Sequence, residues 1–216
     1  MSFDSPLPPY NSTDPTASFL NTSCLDLLMI ELVPMAYRIV REVDFASSAG
    51  HANANGMTEK ERDKNNGESI AAASRTMEED EERDAVFFRL ENLGYRVGQG
   101  LVERFSRDRP RFTDTLDVIK FLCKDLWMLV FRKQIDNLKT NHRGVYVLTD
   151  NSFRPFARMS TEAGGQAVVR AQPFLWFPCG IIRGALSSMG ITATVQAESA
   201  ELPGATFQIK SAGSKP

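Results

Sequence analysis

The sequence is poor in the residues that most often announce chemistry. Its 216 residues include three cysteines, Cys24, Cys123 and Cys179. They are too few and too scattered for a disulfide framework or a cysteine-held zinc. The two histidines, His51 and His142, stand far apart and leave little material for a His-based metal site. No apolar run reaches the roughly 18 residues of a membrane span. Met1 to Pro9 has neither the basic nor the apolar region of a secretory signal. No surplus of one charge exists either: 25 Lys+Arg stand against 27 Asp+Glu, a net charge of −2, which argues against general nucleic-acid binding. A nucleophile elbow, a phosphate loop, HExxH, CxxC and an EF-hand loop are all missing. Gly98-Gln99-Gly100 begins like a dinucleotide fingerprint, but Glu103 occupies its sixth position and no strand precedes it. Asp114, Asp117, Glu91 and Glu103 read as ordinary helix-surface carboxylates, and Cys123 and Cys179 as small buried hydrophobes. The expectation is a soluble cytoplasmic protein that is not an enzyme and has no cofactor, metal or catalytic residue.

What is present is globular material, 42% apolar and 24% charged. Residues 1–22, rich in Pro, Ser, Thr and Asn, read as a disordered tail. Residues 23–210 read as a single domain with a disordered insertion at 44–78, and 211–216 as a C-terminal tail. Within the domain, Leu25, Leu28, Leu32, Met35, Ile39 and Val43 recur at helical spacing and predict a helix over 24–43. Ser23 is its expected cap, and Pro34 predicts a kink or a broken turn. The acidic run Glu78 to Glu82 marks the expected start of a second helix, over 79–107, because acids suit a first helical turn. Val86, Leu90, Leu93, Val97, Leu101 and Phe105 form its stripe. Gly94 and Gly98 lie one turn apart and each costs about 1 kcal/mol in a helix. They point to close approach by another backbone or to room for a large side chain.

A third helix follows Pro110, with Thr113 as its expected cap. Val130 to Leu138 and Gly144 to Leu148 read as two strands around a polar turn that holds His142. Phe174 to Met189 reads as a fourth helix, with Gly190 as the residue that ends it. Strands over 192–197 and 205–209 complete an α+β domain with an antiparallel sheet. Two long helices then carry more apolar surface than one small sheet can cover, which calls for a second subunit. Arg104, Arg107, Arg109 and Arg111 crowd the end of the second helix, and Arg132 and Lys133 follow the third. They form either a basic face for anionic lipid or acidic protein, or a set of solvated edges.

Four stretches resemble the small subunits of the TRAPP complex. Asn92 to Phe105 (NLGYRVGQGLVERF) resembles the second-helix motif of that family. Leu116 to Trp127 (LDVIKFLCKDLW) and Phe131 to Leu148 (FRKQIDNLKTNHRGVYVL) look like its subunit-6 branch. Phe177 to Leu186 (FPCGIIRGAL) is similar to its last-helix motif. The resemblance covers about 24–43 and 79–210. It implies about four helices packed on one side of a small antiparallel β-sheet. It also implies a heterodimer with a paralogous small subunit, built largely from the first two helices. Leu28, Leu32, Met35, Leu90, Leu93, Gly94, Val97, Gly98 and Leu101 are the interface residues expected there. The complex so implied is a tethering assembly and guanine-nucleotide exchange factor for Rab-family GTPases. It works in ER-to-Golgi and Golgi transport, peripheral on cis-Golgi and early secretory membranes. In it this chain would be a non-catalytic assembly subunit, with no nucleic-acid partner and membrane contact only through the complex. The alternative is a small-molecule or acyl-chain binding domain with a hydrophobic cavity between helices and sheet. In a sister branch a cysteine before the third helix carries an acyl chain; the corresponding place here, near Arg109-Pro110, has no cysteine, so no acylation is expected there.

Overall fold

The computed structural model describes residues 21–52, 67–107, 109–141, 144–159 and 166–211. Helix α1 spans Thr22–Ala52 and α2 spans Gly67–Phe105. α3 (Thr115–Phe121) continues through a π-helical turn, Leu122–Leu126, into α4 (Trp127–Phe131). α5 (Gln166–Ala171) continues through a 3-10 turn, Gln172–Leu175, into α6 (Trp176–Ser188). The described residues thus form four helical rods. Strands β1 (Asn137–Thr140), β2 (Val145–Asp150), β3 (Ala193–Glu198) and β4 (Ala205–Ser211) form one antiparallel sheet in the order β1-β2-β4-β3. The α+β class and the one-sided packing expected from the sequence are what the structure has.

The sheet is one-sided because its side chains alternate. Leu148 and Asp150 of β2 share the inner face with Ala205, Phe207 and Ile209 of β4, all buried, while Thr194, Gln196 and Glu198 of β3 face outward and are exposed. Register keeps these faces aligned: Leu148 lies opposite Phe207, and Val195 opposite Ile209. Above them Trp127 packs on Phe131 and Phe207, with ring centroids 4.4 and 5.1 Å away, and Phe153 and Phe156 close the aromatic centre. A second, smaller core lies between α1 and α2, where Leu32, Val33, Ala36 and Val40 meet Val86, Leu90 and Trp176.

Several boundaries differ from the sequence reading. Both long helices run into the segment expected to be a disordered insertion: residues 44–52 extend α1 and 67–78 belong to α2, while 53–66 lie outside the described residues. The acidic run therefore sits inside α2 and not in its first turn. Pro34 does not break α1, which continues on both sides of it. Asn21 takes the capping contact expected of Ser23, accepting the Ser23 N–H on Oδ1 at 2.9 Å. Asp114 caps α3 in place of Thr113, accepting the Asp117 N–H at 2.7 Å. Val130 and Phe131 end a helix rather than begin a strand, because Arg132 takes a left-handed conformation (φ 62°) that stops α4. Ser211 belongs to β4, not to a tail. Residues 1–20 and 212–216, and His142, lie outside the described residues. Gly190 does end α6 as expected: with φ 80° it donates to Ser187 O at 3.0 Å, and Ile191 donates to Leu186 O at 2.9 Å, the double bond of a Schellman cap.

The most intimate contact in the chain is the crossing of α2 and α6. Each helix offers two glycines four residues apart, Gly94 and Gly98 on one, Gly180 and Gly184 on the other. A methyl group at Gly94 would sit 2.1 Å from Phe177 O, and one at Gly98 would sit 2.1 Å from Ile181 O. At Gly180 it would sit 2.0 Å from Glu91 O, and at Gly184 2.0 Å from Tyr95 O. No side chain fits at any of the four, so the backbones lie directly on each other. Of the two readings open for the glycine pair, the close backbone approach is correct, and the approaching backbone belongs to the same chain. Beside the glycines, Arg183 makes a two-pronged bond to Glu91, with Nη2 at 2.5 Å from Oε2, and lays its guanidinium 4.4 Å from the Tyr95 ring centroid. Tyr95 Oη and Ser187 Oγ are 2.8 Å apart.

Gly94→Ala is expected to destabilise the chain by about 1–3 kcal/mol, since forced overpacking outweighs the gain of about 1 kcal/mol in helix propensity. Gly100, in the same helix with nothing within 4 Å of a would-be methyl, should show only the gain: Gly100→Ala is expected to stabilise by about 0.5–1 kcal/mol. Urea denaturation of both variants checks this; a shift of the same sign in both contradicts the crossing.

Candidate partner interface

The nine residues expected at a partner surface divide into two groups. Leu32 and Leu90 are 6% and 1% exposed and belong to the core between α1 and α2. Gly94 and Gly98 lie under α6, and Leu101 packs half-buried against the main core. These five face their own chain, because α1 and α6 already cover that side of α2. They are withdrawn from the interface. Leu28, Met35, Leu93 and Val97 are exposed.

Sequence reasoning missed residues that join this second group. Ile39 and Val43 are exposed, so Leu28, Met35, Ile39 and Val43 form one stripe of α1 at spacings of seven, four and four. Leu28 is 57% and Val43 49% exposed. The stripe runs beside the buried row of Leu32, Ala36 and Val40, which is why sequence alone merged the two into one broad apolar helix. Leu93 and Val97 supply a matching pair, one turn apart, on α2. Phe88 is 68% exposed, whereas its neighbour Phe87 leans edge-on against Trp176 at 5.6 Å.

The basic residues do not form one free patch. Arg104, Arg107, Arg111 and Arg132 are exposed. Arg109 is engaged within the chain: it pairs with Asp125 at 2.8 Å and lies 5.2 Å from the Phe121 ring centroid. Lys133 is engaged too, with Nζ 2.6 Å from Asp150 and 2.8 Å from Asp136. Asp150 is fully buried and also accepts Trp127 Nε1–H at 2.9 Å and the Ser152 N–H at 3.0 Å. The Lys133 ammonium, with the Asn151 N–H at 2.7 Å, holds the Asp136 carboxyl below its ordinary range. Burial pulls Lys133 down, but its bonds to Asp136 and Asp150 outweigh this and raise it. This cluster ties the end of α4 to both ends of the β1–β2 hairpin. The available signal was the strand alternation, which puts Asp150 on the same inner face as Leu148.

Other candidate chemistry is quiet. Burial pushes the thiols of Cys123 and Cys179 up to about 12, so neither supplies thiolate at neutral pH. Among the described residues no group of three His, Cys, Asp or Glu side chains is placed to hold a metal, and no helix is long and apolar enough to cross a membrane. A groove open to solvent runs between the start of α1, the end of α4 and the turn Arg154–Phe156, lined by Met29, Ile30, Phe131 and Pro155. Asp26 bridges its rim to Arg154 at 2.8 Å and Arg158 at 3.4 Å. The room for a large side chain that Gly94 and Gly98 could have left is filled by the α6 backbone.

A four-stranded sheet covered on one side by helices, with an apolar helix stripe left bare, defines a subunit of a larger assembly rather than a self-sufficient domain. The chain belongs to the transport protein particle (TRAPP) component family, whose model matches residues 25–212. Its relatives place it in the subunit-6 branch. It is 56% identical over 121 residues to trafficking protein particle complex subunit 6b of Danio rerio, covering 56% of this chain and 76% of the relative. It is 50% identical over 143 residues to subunit 6B of Homo sapiens, covering 66% and 89%. An uncharacterised protein of Schizosaccharomyces pombe is 36% identical over 191 residues, covering 88% of this chain and 64% of that protein. Among solved structures, a trafficking protein particle complex subunit 3 from Naegleria fowleri, covalently bound to palmitic acid, matches with a TM-score of 0.52 at 14% identity, covering 68% of this chain and 92% of that one. At that identity it shows a shared fold, and the palmitate belongs to that protein.

Lys133→Met is expected to cost about 1.5–3 kcal/mol at pH 7, because Asp150 loses a charged donor while buried. The share that comes from Asp136, whose carboxyl is depressed in the fold, is full above about pH 5 and fades as pH falls through its folded pKa. The gap between variant and wild type should therefore narrow below about pH 4. Denaturation midpoints at pH 7 and pH 3.5 check both; an unchanged gap contradicts the assignment of Asp136.

Proposed function

We propose that this chain is a non-catalytic assembly subunit of the TRAPP tethering complex. That complex acts as guanine-nucleotide exchange factor for Rab-family GTPases in ER-to-Golgi and Golgi transport. The chain pairs with a paralogous small subunit through α1 and α2. It works in the cytoplasm, on cis-Golgi and early secretory membranes, and reaches them through the complex. The Rab GTPase is met indirectly, at surfaces contributed mainly by other subunits.

The observation that carries this reading is the bare apolar stripe of Leu28, Met35, Ile39 and Val43, with Leu93 and Val97 on the neighbouring helix. Isolated exposed apolar residues need no explanation. An ordered row along more than three helical turns does, since burying each such side chain is worth roughly 1.5–3 kcal/mol. A second subunit offering its own helix face supplies that burial. The fully buried carboxylate of Asp150 is occupied by Lys133 and Trp127, the carboxylate of Glu91 by Arg183, and burial keeps the thiols of Cys123 and Cys179 protonated at neutral pH.

Multi-angle light scattering of the chain alone, and mixed with the paralogous small subunits of its own organism, tests the pairing. One of these mixtures should give a stable 1:1 heterodimer; a monomer that ignores all of them contradicts the proposal. Leu28→Glu combined with Val97→Glu should abolish the heterodimer while leaving the helical circular-dichroism signal intact. Leu90→Glu places a charge in the core and should instead lower the yield of folded protein. Full partner binding by the Leu28/Val97 variant would remove those two residues from the interface.

A further inference from the structure

The α1 stripe does not stop where the body of the chain stops. Val40 is the last buried residue of α1, yet the helix continues through Ala52, and every described side chain from Arg41 to Ala46 is exposed. On the antiparallel neighbour, α2 starts at Gly67, while its first described side chains that are not exposed are Glu82 and then Ala85 and Val86. Residues 41–52 and 67–81 therefore make a two-helix arm, about 18–22 Å long at 1.5 Å per residue, that projects beyond the core. The Arg41–Glu82 pair, at 2.5 Å, joins its root to the body.

Helices in water owe most of their stability to tertiary packing of an apolar face. The described side chains of the arm, Arg41 to Ala46, Met77 and Glu79 to Glu81, are exposed, and they carry an apolar row outward: Val43 continues the face of Leu28, Met35 and Ile39, with the next position one turn on being Ala46. The surface proposed for the partner is thus continuous with the arm. Charge also has a sign there. Glu42, Glu79, Asp80, Glu81 and Asp84 are exposed around the arm's root, against Arg41 and Arg83.

We infer that the paralogous partner extends its contact past the body onto this arm. It would do so with a helix that is apolar toward Ile39 and Val43 and basic toward the acids of the arm's root. This rests on the heterodimer proposed above and goes beyond it: the helical ends of a segment read from sequence as a disordered insertion become part of the interface.

The test compares the full chain with a variant in which residues 44–81, the arm beyond Val43 with Glu79, Asp80 and Glu81, are replaced by a four-residue Gly/Ser linker. Such a linker reaches up to about 13 Å, enough to join two packed helices 8–10 Å apart. Calorimetric titration with the small subunit that pairs in light scattering reads the affinity, and thermal unfolding confirms that the variant folds. The inference expects at least a tenfold rise in Kd on shortening. The loss of affinity between 50 and 300 mM salt should also be smaller than the full chain shows, because Glu79, Asp80 and Glu81 are gone. A point variant, Val43→Glu in the full chain, should weaken binding in the same direction. A Kd within twofold of wild type for both variants overturns the arm's role and leaves the heterodimer standing. A full chain that binds no paralogue overturns the heterodimer and the arm together.

Discussion

The structure depends on one contact in which side chains are absent. Where α2 crosses α6, four glycines let two backbones meet directly, with each glycine seated against a carbonyl of the other helix. A single added methyl at any of the four would stand about 2 Å from that carbonyl. Glycine costs roughly 1 kcal/mol per helical position, and here the cost is offset by contact that larger residues cannot make. The Arg183–Glu91 bond and the Tyr95 ring beside it fix the rotation of the two helices. With α6 so placed, Ile181, Ile182, Ala185 and Leu186 reach the core above the sheet. Trp176, at the start of α6, closes the smaller core between α1 and α2. One crossing thus positions both cores.

It also decides what is left uncovered. Because α6 takes the glycine face of α2 and α1 takes the face of Val86 and Leu90, the side of Leu93 and Val97, each 38% exposed, is only partly covered by the described residues. The outer stripe of α1 shares that condition. The exposed apolar surface follows from how the helices are shared out between two cores, not from loose packing. A buried carboxylate, Asp150, ties α4 to the sheet through Trp127, Lys133 and Ser152.

The sequence made much of this legible. Helical periodicity located the bodies of all four rods, and alternation placed the strands at residues 145–150, 193–198 and 205–211 to within a few residues. The surplus of apolar helix surface was visible as well. What periodicity could not do was assign faces. Leu32 and Leu28 lie one turn apart in the same apolar pattern, but one is core and the other bare. Gly94 and Gly98 announced a close approach without naming the approaching backbone; Gly180 and Gly184 carried the answer at the same spacing, in a stretch read only as a helix start. Val130 and Phe131 looked like strand because β-branched and aromatic residues favour strands; packing against Trp127 made them helix. The long α1 and α2 extensions were hidden because polar and small residues carry no period, while the helix can propagate cheaply once its body is formed.

α2 and α6 are joined within the chain, and α1, with Leu93 and Val97, is the face proposed for another subunit. Hydrogen–deuterium exchange of the chain alone and bound to its paralogous partner separates the two most directly. Amides around Gly180 to Gly184 should be protected to the same degree in both states, while those from Leu28 to Val43 and around Leu93 to Val97 should gain protection on binding. Protection gained at the Gly180–Gly184 segment, with none gained along α1, would contradict this assignment.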